Sequence, residues 1–326
     1  MIRFLFTSLL SITTVSSHLS EYLHHKTPSY PTLQSHDLSQ LPNCSVLALS
    51  GGGSFGAVEL GVLDGLLQTG SVPDSVDIIT GISAGGLNAG YLSYYNSLSE
   101  ALQPLYSIMA NLTTSDIYES DLLHILSNWA IYTTKPLEQT LSGILSNAPS
   151  PPQGSTPITL IGATNVNRQT LDVFRFDQAQ ALQDRLDILM STTAIPFVFP
   201  PHTYNNTLYV DGGVIANEMI AQAVGQKQCN QYSFTFISAS NRHTPTNISG
   251  LFSYISAIGH LILDTFDYQL AEYESLNCNH PRGTIQACFP TSPLLDQYSI
   301  LDFDHQAELY EIGKSSYSCQ EFQYCG

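Results

Sequence analysis

Residues 46–90 read VLALSGGGSFGAVELGVLDGLL, a short connection, and DIITGISAGGLNAG. Two glycine-rich turns are thus set close together, each after a short apolar run of strand character and each opening an apolar run of helical character. Strand, turn, helix repeated at this rhythm constrains the chain to a parallel sheet with covering helices, because parallel neighbours must be joined by a crossover. In the first turn Gly51, Gly52, Gly53 and Gly56 supply the small residues; in the second, Gly81 and Gly85 flank Ser83 as G-x-S-x-G. A strained strand-to-helix elbow that lifts a serine hydroxyl out of the fold needs such flanking residues. Ser83 is therefore the expected nucleophile.

The remainder of the chain fills out an α/β pattern. Strands are expected at 46–49, 76–80, 158–163, 171–176, 208–210 and 232–239. Helices are expected at 57–67, 84–95, 185–193, 214–224 and 251–274, with two or three more on the surface between 98 and 146, where Thr134 and Pro136 mark a helix start. Residues 148–157 read as a loop, and the last fifty or so residues as irregular and cysteine-containing. The expected organisation is a signal peptide at 1–17, an irregular lead-in at 18–43 and one domain over 44–326.

The leader carries Arg3, then an apolar run, then small residues at Ser16 and Ser17, which is a secretory layout. Sequons at Asn43, Asn111, Asn205 and Asn247 and an even count of six cysteines agree with an oxidising, glycosylating route. Close spacing suggests the pairs Cys278 with Cys288 and Cys319 with Cys325, leaving Cys44 with Cys229. No spacing is a C-x-x-C motif, so no metal site is expected. Lys and Arg total 10 against 27 Asp and Glu, a formal charge of −17, which argues against nucleic acid and against docking on anionic membranes. No apolar run after the leader reaches the length of a membrane span. These features together predict a soluble protein that is secreted or held in the lumen of the endomembrane or a lysosome-like system.

A serine hydroxyl needs a base to take its proton. One arrangement places Asp211 second in a triad whose histidine is His243, His260, His280 or His305; another lets Asp211 accept the proton directly. GGGSFG also satisfies G-x-G-x-x-G, with Asp77 about twenty residues on as a ribose-binding acid, but Asp77 begins its strand instead of ending it. The other use of such a turn is an oxyanion hole, in which backbone N–H groups face the developing negative oxygen of acyl transfer.

Taken in order, GGGSFG at 51–56, GISAG at 81–85, STTAIPFVFPP at 191–201 and DGG at 211–213 resemble the patatin-like phospholipase family over residues 46 to about 224. The resemblance implies a three-layer α/β/α fold with a mostly parallel central sheet. It also implies a Ser83–Asp211 dyad, an oxyanion hole from the turn of Gly51, Gly52, Gly53 and Ser54, and no cofactor. The implied substrate is a phospholipid or another lipid ester, met through transient contact with a membrane or lipid surface. Many members of the family carry Arg or Lys where this chain has Phe55, which bears on how the turn is anchored and on contact with a phosphate head group. A lipid-binding or storage glycoprotein with an inactive site remains the reading of a different class.

Overall fold

The computed structural model describes residues 40–120, 129–149, 157–239 and 282–324. The leader, the expected helix at 251–274, Asn247, Cys278, Cys325, His243, His260 and His280 lie outside the described residues. The first half of the chain contains β1 (Cys44–Leu49), α1 (Gly56–Thr69), β2 (Ile78–Ile82), α2 (Ala84–Leu92) and α3 (Leu98–Met109). A small ribbon of β3 (Glu119–Ser120) and β4 (Tyr132–Thr133) precedes α4 (Lys135–Asn147), which starts with Pro136 in its first turn as the sequence predicts. There follow β5 (Ile158–Asn165), β6 (Thr170–Arg175), α5 (Leu182–Thr192), β7 (His202–Tyr204), β8 (Thr207–Asp211), α6 (Ile220–Ala223) and β9 (Tyr232–Ile237). The described chain closes with β10 (Gly283–Pro290), α7 (Gln306–Ser315) and β11 (Tyr317–Tyr324).

Nine of these strands form one sheet in the order β11-β10-β9-β1-β2-β5-β8-β7, with β6 also paired to β5. The five central strands from β10 to β5 run parallel, and antiparallel strands close both edges. This is the expected α/β class with a mostly parallel central sheet. Alternation along β1 sends Leu47 and Leu49 to one face, where they meet Val58, Leu63 and Leu309 from the helices. Val46 and Ala48 point to the other face and pack with Phe234, Phe236, Met219 and Ile220. Each such side chain taken fully out of water contributes about 1.5–3 kcal/mol, so strands buried on both faces hold the fold together.

Two expectations are corrected here. Residues 214–224 are not one helix: a 3-10 turn (Gly212–Val214) leads to the single-turn α6. Between them Asn217 and Glu218 turn inward and are buried, and a Glu218 carboxylate oxygen accepts the Ile220 amide at the start of α6. Nor is the C-terminal region irregular. Its β10 is an internal strand paired to β9 and β11, and its α7 packs along α1. That helix pair is unusually close: a Cβ at Gly61 would overlap the Tyr310 carbonyl oxygen, and one at Gly313 would overlap that of Val58.

The disulfide pairing also differs in part. Cys44 joins Cys229 with Cα atoms 5.7 Å apart, as expected, whereas Cys288 joins Cys319 at 4.1 Å. Cys288 and Cys319 stand directly opposite one another in the β10–β11 ladder, so strand register sets the pair and short sequence spacing does not.

The glycine packing yields a paired prediction. Gly61→Val should lower stability by about 2 kcal/mol or more, because the neighbouring backbone cannot retreat. Gly143→Ala, in α4 with open space around it, should raise stability by about 0.5–1 kcal/mol. Urea unfolding of both variants checks the contrast.

Candidate active site

Leu49 is paired with Gly81 in the parallel register of β1 and β2, so the turns that follow these strands emerge side by side at one edge of the sheet. Ser83 occupies that edge with φ 53° and ψ −123°, a left-handed conformation that costs a serine on the order of 1–3 kcal/mol. Its neighbours must be small. A side chain at Gly81 would collide with the Gly85 carbonyl, and one at Gly85 with that of Ser50. The Gly85 amide donates to that same Ser50 oxygen at 3.0 Å, which fastens the elbow to the end of β1. From the opposite side the Ser83 amide donates to Thr192 Oγ1 at 2.8 Å, and Thr192 donates to Gly162 O at 2.6 Å.

Asp211 arrives by a second register. Ile82 stands opposite Gly162 in β5, while β8 runs antiparallel along the far end of β5 and stops with Asp211 opposite Ala163. The carboxylate is thereby brought level with the elbow. Asp211 is 6% exposed and Ser83 5%, so both lie at the floor of the cleft. Asp211 Oδ1 accepts the Gly213 amide at 2.8 Å, and Thr164 Oγ1 donates to the Asp211 carbonyl at 2.9 Å. Oδ2 is buried and has no hydrogen-bond partner among the described residues. Burial pushes the carboxyl up to about 6, while the nearby Ser83 hydroxyl and the Gly213 amide pull it down. The Ser83 hydroxyl is thus near enough to the Asp211 carboxyl to favour its ionised form.

The glycine turn is held from several directions. The Gly51 amide donates to Asn217 Oδ1 at 3.0 Å and the Ser54 amide to Ile300 O at 2.8 Å. Of the four expected oxyanion donors, Gly51 and Ser54 are thus already engaged. The amides of Gly52 and Gly53 have no partner among the described residues, and both glycines line the cleft with Ser83. Ser54 Oγ also donates to Ser299 O at 2.9 Å, and Gln306 Nε2 donates to Ser54 O at 3.2 Å. Phe55 is buried in the apolar core at 1% exposure and does not line the cleft, so it anchors the turn by packing.

Beneath the turn sits Glu59, fully buried on α1. Its Oε1 accepts the Ser50 amide at 2.7 Å and its Oε2 accepts Asn88 Nδ2 at 2.9 Å; that same nitrogen donates to Gly56 O at 3.1 Å. Burial drives its carboxyl well above the ordinary range against those two hydrogen bonds. One side chain so joins the end of β1, the start of α1 and the serine helix α2.

The cleft is open to solvent, and the glycine turn, Ser83, Asp211 and residues 195–196 all line it. Apart from the groups above, Ile195, Pro196, Val214 and Ile300 give it apolar walls. Neither His202 nor His305 lines it: His202 meets Asp187 at 2.9 Å, and exposed His305 meets Asp302. Asp77 lies at the opposite end of β1, accepting the Ser45 amide and pairing with Lys227, a strand's length from the glycine turn. The ribose-binding role considered for Asp77 has no geometry here. Among the described residues no group of three or more His, Cys, Asp or Glu could hold a metal ion, and no helix is long and apolar enough to cross a membrane.

Asn217, Glu59 and Gln306 lie outside the motifs read from the sequence and act through contacts with backbone groups that no local pattern announces. Thr192 belongs to the 191–201 motif, but that motif does not announce its contact with the Ser83 amide.

The sequence model of the Patatin-like phospholipase family matches residues 47–224, more than half of the chain. Among curated proteins the chain is similar to the uncharacterized protein R571 of Acanthamoeba polyphaga mimivirus, with 26% identity over 183 residues, covering 55% of this chain and 60% of that protein. It is also similar to the probable lipid hydrolase 463L of Invertebrate iridescent virus 6, with 26% identity over 188 residues, covering 55% of this chain and 62% of that one. Each matched segment thus spans about three fifths of the relative's length. Among solved structures, VipD from Legionella pneumophila aligns at 12% identity and a TM-score of 0.35, covering 86% of this chain and 68% of that one. By the family match, the chain belongs to the patatin-like phospholipase family.

Proposed function

We propose that the protein is a lipid acyl hydrolase that cleaves carboxylic esters with Ser83 as nucleophile and Asp211 as its base. The observation that carries this reading is the convergence, in one cleft, of a serine on a left-handed elbow, a buried aspartate and two glycine amides, the aspartate's Oδ2 and both amides having no hydrogen-bond partner among the described residues. Asp211 Oδ2 takes the proton as Ser83 Oγ attacks the ester carbonyl. The tetrahedral oxyanion then faces the amides of Gly52 and Gly53, each donor lowering the barrier by about 3 kcal/mol. Collapse expels the alcohol, which recovers the proton from Asp211, and water attacks the acyl-enzyme by the same route in reverse. A carboxyl raised to about 6 by burial is a better base than an ordinary aspartate and is still ionised at neutral pH. The residues named supply every group this sequence of steps needs, so no cofactor is invoked.

The substrate class follows from the family and from the apolar walls: a phospholipid or another lipid ester. A lipid surface is the expected place to meet it. Phe197 is 78% exposed and Trp129 66%, and the Ala130–Phe197 bridge brings their two chain segments together. Val214, which lines the cleft, and Ile215 beside it in sequence are exposed too. With a net charge of −17, such an apolar rim suits a zwitterionic or neutral surface better than an anionic one. The two disulfides among the described residues and the exposed sequon asparagines Asn43, Asn111 and Asn205 support a secreted or lumenal setting.

Ser83→Ala and Asp211→Asn should each reduce hydrolysis of a soluble ester at least about 1,000-fold with an unchanged thermal midpoint. Retained activity in either variant contradicts the dyad, and loss of activity on His→Ala at 243, 260, 280 or 305 would favour a triad. Because Asp211 must be ionised to accept a proton, kcat/KM should fall about tenfold per pH unit below an apparent pKa near 6 and level off above it. A pH profile without that acid limb contradicts the assignment of the base.

Trp129 is the sole tryptophan, so its emission reports on the rim directly. Phosphatidylcholine vesicles should shift that emission to the blue, phosphatidylglycerol vesicles should do so less, and Phe197→Ser should weaken partitioning about tenfold. An emission spectrum indifferent to vesicles contradicts surface docking.

A further inference from the structure

Every polar group of Ser54 is engaged by one segment, residues 299–306. The Ser54 amide donates to Ile300 O at 2.8 Å, its hydroxyl donates to Ser299 O at 2.9 Å, and its carbonyl accepts Gln306 Nε2 at 3.2 Å. This segment lies well beyond the residues 47–224 that match the family model. It is fixed from its other side as well: the Tyr118 hydroxyl donates to Leu301 O at 2.8 Å, the Phe303 amide to Thr114 Oγ1 at 3.2 Å, and the Thr114 amide to Asp304 Oδ1 at 2.9 Å. Gln306 is 5% exposed and opens α7, the helix packed along α1.

Gly53 is confined by the same segment. Its φ of 56° is left-handed, and a Cβ there would overlap the Ile300 carbonyl oxygen. The peptide joining Gly53 to Ser54 is tied at both ends, its N–H to Ile300 O and its C=O to the Gly56 amide. In the peptide before it, Gly52 O accepts the Phe55 amide at 3.1 Å. A trans peptide points its N–H away from its C=O, so the Gly53 amide is aimed by contacts made through its neighbours.

We propose that residues 299–306 position the oxyanion donors, with Gln306 as the positioning side chain, an assignment that rests on the acyl hydrolase reading of Ser83. Gln306 does not line the cleft and acts through Ser54. Its hydrogen bond holds the Ser54 carbonyl while Ile300 holds the amide, so the turn keeps one orientation before substrate arrives. Donors fixed in advance need no reorganisation as charge develops on the ester oxygen. The ground-state ester carries no such charge, so loosening the turn acts on the transition state and little on substrate binding.

Gln306→Leu keeps the size of the side chain and removes the donor. With p-nitrophenyl butyrate it should lower kcat at least about tenfold and leave KM within about twofold. A propyl trifluoromethyl ketone gives a second readout: Ser83 Oγ adds to its carbonyl carbon, the serine proton passes to Asp211, and the ketone oxygen keeps the negative charge before the Gly52 and Gly53 amides. Its Ki should rise by about the factor that kcat falls, while the Kd of butyl p-nitrophenyl ether, which has no carbonyl, stays within about twofold. Ser54→Ala, which removes the bond to Ser299, should show the same split to a smaller degree, and it decides the question if Gln306→Leu fails to fold. Unchanged kcat in the folded variant, or equal losses for the ketone and the ether, overturns the proposal. A wild type that neither hydrolyses the ester nor binds the ketone would instead defeat the hydrolase reading, and this assignment with it.

Discussion

Strand β2 is paired on both sides, to β1 with Leu49 opposite Gly81 and to β5 with Ile82 opposite Gly162, and the site depends on those two registers. The first places the glycine turn beside the serine elbow. The second sets the height at which β8, running back along β5, must end for Asp211 to meet Ser83. A one-residue slip in either ladder would turn every side chain of the slipped strand to the opposite face, so the buried core on both faces of the sheet also fixes the geometry of the cleft. The crevice beyond the carboxyl ends of parallel strands is where open α/β sheets place ligands, because loops there converge without a covering helix.

Glu59 and Asp211 are both buried near that crevice, and their surroundings separate their roles. Glu59 has both oxygens engaged, one by the Ser50 amide and one by Asn88, and so works as a brace between two turns. Asp211 has one oxygen held by Gly213 and the other unpartnered among the described residues. A buried acceptor left open costs on the order of 1–3 kcal/mol, and such a cost is retained where the open group has work to do. Burial raises both groups, but of the two only Asp211 keeps an oxygen without a hydrogen-bond partner among the described residues. The same contrast holds for the amides of the glycine turn, where Gly51 and Ser54 are engaged and Gly52 and Gly53 are left for the cleft.

Much of this was legible in the sequence because the features concerned are local. G-x-S-x-G after an apolar run predicts a strained elbow from steric requirements alone, and the serine does sit at positive φ. The glycine turn and DGG at 211–213 are readable for the same reason. What could not be read acts across long separations through backbone groups: Thr192 reaches Ser83 over 109 residues, Asn217 reaches Gly51 over 166 and Gln306 reaches Ser54 over 252. In β10 the alternation of Ile285, Ala287 and Phe289 is a legible strand signal, but it does not show that the strand lies inside the sheet. Only its pairing with β9 makes it a strand of the core. The Cys288–Cys319 bond follows from that pairing too, which is why spacing along the chain misled.

The central claim is that Ser83 is an activated nucleophile, and a fluorophosphonate tests it most directly because the reagent bonds only to a serine whose proton has somewhere to go. The account predicts a single adduct on Ser83, located by mass spectrometry of the intact folded protein, forming far more slowly in Asp211→Asn. A folded protein that forms no adduct, or one that carries it on another residue, would contradict the account.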